Sequence, residues 1–171
     1  EKFVSSYANV ASAPRWDETS EIIYWSETVP DKRWTLKSDS KIRYMSLEGG
    51  MKTLRNKEML HNPIHNGNLI ATVRYHNDGH SSISIIDGKK GNTIENIPAP
   101  DSLQLVEIAY LKNILYATAI SENGYGIYTW NNEWTIALSP QPVMIKDFKS
   151  YGDDLIFTCD RTGVNELYHF N

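Results

Sequence analysis

The chain has 171 residues, 40% of them apolar and 22% charged, with a formal net charge of −4 and a mean hydropathy of −0.46. This composition fits one globular domain or a large piece of one, and excludes a disordered chain. The acidic balance argues against non-specific nucleic-acid binding, no apolar run is long enough for a transmembrane helix, and the single cysteine, Cys159, excludes an internal disulfide. The first residue is Glu1, with no signal-peptide pattern after it, so the expectation is a processed or trimmed product.

In chain order, four units repeat one pattern. Each has an apolar strand, a polar turn, a second alternating strand and a Gly- or Asn-rich turn. The first strands are Glu21-Ile22-Ile23-Tyr24-Trp25, Asn68-Leu69-Ile70-Ala71-Thr72-Val73, Asn113-Ile114-Leu115-Tyr116-Ala117 and Asp154-Leu155-Ile156-Phe157-Thr158. The second strands centre on Ile42, Ile83, Ile127 and Leu167, which are 41, 44 and 40 residues apart. A period of about 40–45 residues with several strands per unit is the spacing of propeller blades. Turns at Glu48-Gly49-Gly50, Asp87-Gly88-Lys89-Lys90-Gly91 and Asn131-Asn132 suit hairpins, because Gly and Asn tolerate positive φ.

Fourth strands are expected at Lys52–Leu54, Thr93–Ile94 and Trp134–Ala137. Innermost strands are expected at Ala13–Trp16, Asn62–Ile64, Val106–Ala109 and Met144–Asp147. Leu103–Leu111 also reads as a short amphipathic turn, but its register fits an inner strand. The expected fold is therefore all-β: a β-propeller of four-stranded antiparallel blades at 12–55, 60–97, 103–138 and 142–171, the last incomplete. An open fan of four blades would leave about five large side chains bare, a loss on the order of 10 kcal/mol at roughly 1.5–3 kcal/mol each. That rivals the net stability of a domain, about 5–15 kcal/mol. The expectation is a part of a longer propeller, or closure by other chains.

The repeats resemble the TolB-like β-propeller family, in which a blade carries Pro-x-Trp-Ser-Pro-Asp-Gly-x-x-Ile and later Ile-Tyr-x-x-Asp-x-x-x-Gly-Gly. Here the first unit has Pro14-Arg15-Trp16-Asp17-Glu18-Thr19-Ser20-Glu21-Ile22 and Ile42-Arg43-Tyr44-Met45-Ser46-Leu47-Glu48-Gly49-Gly50. The second has Pro63-Ile64-His65-Asn66-Gly67-Asn68-Leu69-Ile70 and Ile83-Ser84-Ile85-Ile86-Asp87. The fourth has Gly163-Val164-Asn165-Glu166-Leu167-Tyr168. The full Ser-Pro-Asp-Gly segment is absent from every unit. The resemblance implies truncation from about six blades, a binding platform in the periplasm or on the cell surface of a bacterium, and no chemistry of its own.

Candidate sites lie in two hairpin loops. Between Trp25 and Lys41, 15 residues from Ser26 to Ser40 form an unusually long connection. It carries Glu27, Asp31, Lys32, Arg33 and Trp34, and aromatic and guanidinium groups are favoured at binding hot spots. Either it is a recognition loop, or Trp34 folds back over it and the charges are solvated. The matching loop of the second unit, His76-Asn77-Asp78-Gly79-His80, brings two imidazoles near Asp78. It reads as a solvated turn or a ligand contact, since no third metal ligand is close in sequence. His61 and His65 would pair on a metal only on a helix, which Pro63 opposes. Asp17, Glu18 and Glu21, like Asp153 and Asp154, read as solvated turns without calcium-loop spacing. Trp16 and Trp25 suit packing between blades, and Cys159 a small buried apolar residue.

No nucleophile motif, phosphate-binding loop or Cys-x-x-Cys is present. The expectation is a non-catalytic scaffold binding a protein or peptide, with no cofactor, no metal and no nucleic acid. Its candidate contacts are Glu27, Asp31, Arg33, Trp34, His76 and His80. Two alternatives stay open. One is the gating propeller of a prolyl-oligopeptidase-like serine peptidase, whose catalytic domain would lie outside this chain. The other is a carbohydrate-binding propeller using exposed tryptophans.

Overall fold

The computed structural model describes residues 9–10, 12–17, 21–30, 33, 38–54 and 58–170. Every regular element among them is a strand, sixteen in all. The chain divides into two compact units, residues 1–76 with 83–97 and residues 77–82 with 98–171.

The first sheet holds β1 (Asn9–Val10), β2 (Arg15–Asp17), β3 (Ile22–Pro30), β4 (Ser38–Ser46) and β5 (Lys52–Thr53). Its order is β1-β3-β4-β5, with β2 also on β3. The inner edge of β3 is thus shared, β2 facing Ile22–Tyr24 and β1 facing Glu27–Thr28. Between them the Ser26 amide donates to Ser12 Oγ at 2.9 Å. The expectation of a loop from Ser26 to Ser40 is corrected here. The ladder continues through Ser26↔Ile42 and Glu27↔Lys41 to Pro30↔Ser38, so the connection shortens to residues 31–37.

The second sheet, in order, is β6 (Leu60–Asn66), β7 (Leu69–Tyr75), β8 (Ser81–Asp87) and β9 (Thr93–Pro98). In the first unit the two sheets join through Ile42 and Leu54 of one and Leu60, Ile70 and Ile86 of the other. All five are nearly solvent-free. Each contributes roughly 1.5–3 kcal/mol of apolar burial. The Leu60 amide donates to Ser40 Oγ across the same seam.

The third sheet is β10 (Gln104–Leu111), β11 (Ile114–Ser121), β12 (Gly124–Trp130) and β13 (Trp134–Gln141). The inner-strand register proposed for Leu103–Leu111 is the one adopted. Its turn, Lys112-Asn113, has φ of 50° and 64°. Positive φ at both positions is what a two-residue type I′ hairpin requires. Gly124 has φ of 102°, and a Cβ there would meet Gln141 O at 2.0 Å. Only glycine lets β12 start against that carbonyl.

The fourth sheet is β14 (Ile145–Tyr151), β15 (Asp154–Cys159) and β16 (Glu166–Phe170). In the second unit Phe148, Leu155, Phe157 and Cys159 pack against Ala109, Leu111 and Ile127 of the third sheet. Cys159 is a buried small residue in that core. The Phe148 amide donates to Glu107 Oε2 at 2.6 Å, tying the two inner strands.

The inner strands β6, β10 and β14 each carry a register shift, at His61/Ile64, Leu105/Glu107 and Lys146/Lys149. A threonine on the neighbouring strand serves each irregularity. Thr72 Oγ1 donates to His61 O, Thr118 Oγ1 accepts from the Glu107 amide, and Thr158 Oγ1 donates to Lys146 O. A bulge frees backbone groups from the ladder, and a hydroxyl is the smallest side chain able to satisfy them.

Candidate functional site

The long hairpin of the first sheet is anchored by a buried carboxylate. Glu27 is 0% exposed. Its Oε1 accepts from Trp25 Nε1 and its Oε2 from Arg43 Nε, both at 2.9 Å. Arg43 also donates to Thr53 on β5. Trp25 and Glu27 are two apart on one strand, hence on one face, and Arg43 is the cross-strand partner of Trp25. Three strands are thus locked at the hairpin base. The expected role of Glu27 as a loop ligand is corrected in placement: it stands within β3 with its oxygens engaged internally. A buried charge requires such pairing.

Arg33 is exposed, while Asp31 and Trp34, like Lys32 and Glu18, lie outside the described residues. His76 belongs to the first unit and is half-buried; His80 belongs to the second and is exposed. The His80 amide donates to Asp78 Oδ1 at 3.1 Å. Its ring Nδ1 lies 3.2 Å from the same oxygen, and its Nε2 3.9 Å from Asp101 Oδ1. The loop is therefore organised around Asp78. Among the described residues, no group of three His, Cys, Asp or Glu side chains could hold a metal ion.

Sequence reasoning missed a second polar cluster in the first unit. His65 on β6 places Nδ1 3.0 Å from Asp17 Oδ2 on β2, without the alignment of a hydrogen bond. The His65 amide donates to Tyr24 Oη at 3.0 Å, and the Tyr24 and His65 rings are 5.8 Å apart. Burial pushes the His65 pKa down, against the opposing pull of Asp17. Burial also raises the Tyr24 pKa. His61 does not face His65; its ring packs 5.0 Å from Tyr75, and burial lowers its pKa too.

The second unit holds a groove of about 160 Å³ between its sheets. Tyr125, Leu138, Phe157, Tyr168 and Phe170 supply apolar wall, and Arg161 and His169 polar lining. The rings of Phe157 and Tyr168 stack with centroids 6.0 Å apart.

Solved structures with this arrangement of sheets identify the fold. Over 93% of its length the chain is similar to the β-propeller domain of the trilobed protease from Pyrococcus furiosus, reported with an open velcro topology (TM-score 0.65, 15% identity). It is similar over the same share to an acylaminoacyl peptidase in complex with Z-Gly-Gly-Phe-chloromethyl ketone (TM-score 0.62, 18% identity). The Pyrococcus horikoshii acylaminoacyl peptidase gives a TM-score of 0.59 at 17% identity. The fold is a β-propeller. The chain spans 49% of the trilobed protease propeller and 25–26% of the two peptidase chains. No protein-family model matches the sequence, and no curated protein matches it. At these identities the likeness establishes architecture, not chemistry.

Three tryptophans bear on sugar stacking. Trp25 is buried and bound to Glu27, so its face is closed to a ligand. Trp130 and Trp134 meet at 54° rather than forming one flat platform.

Proposed function

We propose that this chain is a non-catalytic, peptide-recognising segment of a β-propeller. The observation that carries the reading is the likeness to peptidase propellers over 93% of the chain. The rigid hairpin base at Glu27 supports it, since loops on a fixed scaffold recognise at lower ordering cost. We read the segment as TolB-like and as acting in the periplasm or at the cell surface, on the motifs at Pro14–Ile22 and Ile42–Gly50. A peptide array probed with this chain tests the reading. Binding to a subset of peptides, with no cleavage of peptide p-nitroanilides by the chain, is expected. An array without a single binder overturns it.

A second reading is favoured by the same neighbours: the segment gates a serine peptidase domain carried on the same polypeptide. The open reading frame tests this one. A Gly-x-Ser-x-Gly motif in a hydrolase-like region supports it, and a frame without such a region removes it.

A further inference from the structure

We propose that Asn66-Gly67, in the β6–β7 hairpin, is a site of spontaneous covalent modification, at which the asparagine cyclises to a succinimide and opens to aspartate or isoaspartate. The second Asn-Gly pair of the chain, Asn123-Gly124, is held against the same reaction.

The reaction needs only water and base. The Gly67 nitrogen, on losing its proton, attacks Cγ of Asn66. A C–N bond forms, the Cγ–Nδ2 bond breaks, and the amide nitrogen leaves as ammonia after taking a proton from water. Water then adds to the ring. Opening at the side-chain carbonyl gives aspartate, and opening at the main-chain carbonyl gives isoaspartate, which adds one carbon to the main chain. Ring closure is favoured where the next residue has no Cβ and where its backbone nitrogen is uncommitted.

The two pairs match in sequence, and both asparagines are exposed. Their places in the turns differ. The β6–β7 ladder closes at Asn66↔Leu69. Gly67 is therefore the first central residue of a two-residue turn, and neither the ladder nor the turn-closing bond uses its amide. Its φ is 62°, and no atom stands within 4 Å of the place a Cβ would take. The far side of the turn is pinned, Asn68 O accepting from the Gly88 amide at 3.0 Å.

The β11–β12 ladder closes at Ser121↔Gly124. Gly124 is thus the last residue of its turn, the position whose amide closes it. The Asn123 amide donates to Ser121 Oγ at 3.2 Å, and that hydroxyl donates to Gly124 O at 3.3 Å. Gly124 is also pressed against Gln141 O. Its nitrogen has to leave a hydrogen bond before the ring can close, which slows closure about tenfold.

Conversion has a structural consequence in the first unit. It places a carboxylate next to His65, whose buried ring lies 3.0 Å from Asp17. Isoaspartate also lengthens the chain at the strand end where the His65 amide donates to Tyr24 Oη. The seam between the first two sheets is loosened.

Incubation of the full chain at about pH 8.5, with and without guanidinium chloride, tests the assignment. Tandem mass spectrometry of tryptic peptides reads the amide-to-acid mass gain at each asparagine. In the folded chain Asn66 should convert about tenfold faster than Asn123, and more slowly when the pH is lowered. In denaturant the two rates should converge. Equal rates in the folded chain overturn the assignment. So does an Asn66 that converts only in denaturant. A ratio that persists in denaturant assigns the selectivity to local sequence and also overturns it. Melting temperature reads the consequence: it should fall on ageing of the parent and hold for Asn66→Gln treated in the same way. An unmoved parent, or an equal fall in Asn66→Gln, removes the loosening of the seam.

Discussion

Asp17 and His65 meet across two sheets, Oδ2 to Nδ1 at 3.0 Å, with the side chains 16% and 7% exposed. The imidazole is buried enough that desolvation outweighs the neighbouring carboxylate, and its pKa falls below the ordinary 6.5.

The sign of the pH dependence follows. A folded state that binds a proton less readily than the unfolded chain loses stability as the proton is forced on. The contribution of His65 is complete above pH 6.5 and declines as pH falls below it. His61 acts in the same direction. Melting temperatures between pH 7.5 and 5 should therefore drop less for His65→Gln than for the parent. They should drop more for Asp17→Asn, which removes the opposing pull. Parallel profiles for all three proteins would refute this account.

Glu27→Ala should be among the most disruptive single changes. It leaves Trp25 Nε1 and the Arg43 guanidinium without their acceptor in the interior, a loss of about 3–5 kcal/mol. Glu27→Gln keeps the volume and one acceptor and should cost less. Urea midpoints read both.

Gly124→Ala should destabilise by roughly 2–3 kcal/mol. The methyl group would sit 2.0 Å from Gln141 O, so β12 or β13 has to shift. Gly152→Ala offers a comparison, since it also has positive φ but has no atom within 4 Å of the added carbon. A cost at Gly124 no larger than at Gly152 would show that the close approach is unimportant.

The tip of the first hairpin makes a separate prediction. If Arg33 and Trp34 contact a partner, Arg33→Ala combined with Trp34→Ala should lower the number of array peptides retained at least tenfold in affinity, with the melting temperature unmoved. Unchanged retention would take the tip out of the binding surface.

Much of the fold was readable because its signals are local. Alternation along Ile114–Ala117 and Leu155–Thr158 is a property of a few adjacent residues, and so are the turns at Asp87-Gly88 and Asn131-Asn132. The hairpin extension was not readable, because Ser26, Glu27 and Thr28 look like a polar loop. One signal was present: Trp25 and Glu27 are spaced to share a face, and Arg43 lies opposite. The contact of Asp17 with His65 joins different repeats and leaves no trace in either. The threonines at Thr72, Thr118 and Thr158 recur at the repeat spacing, but their role depends on bulges that periodicity does not reveal.

The clamp at the base of the first hairpin separates two kinds of freedom. A slip of one residue in a strand pair turns every side chain to the opposite face. With Trp25, Glu27 and Arg43 interlocked, such a slip would strand a charge in the interior, so the frame is insulated from changes further out. The connection beyond Pro30 and Ser38 can thereby change in length without disturbing the interlock of Trp25, Glu27 and Arg43 beneath it.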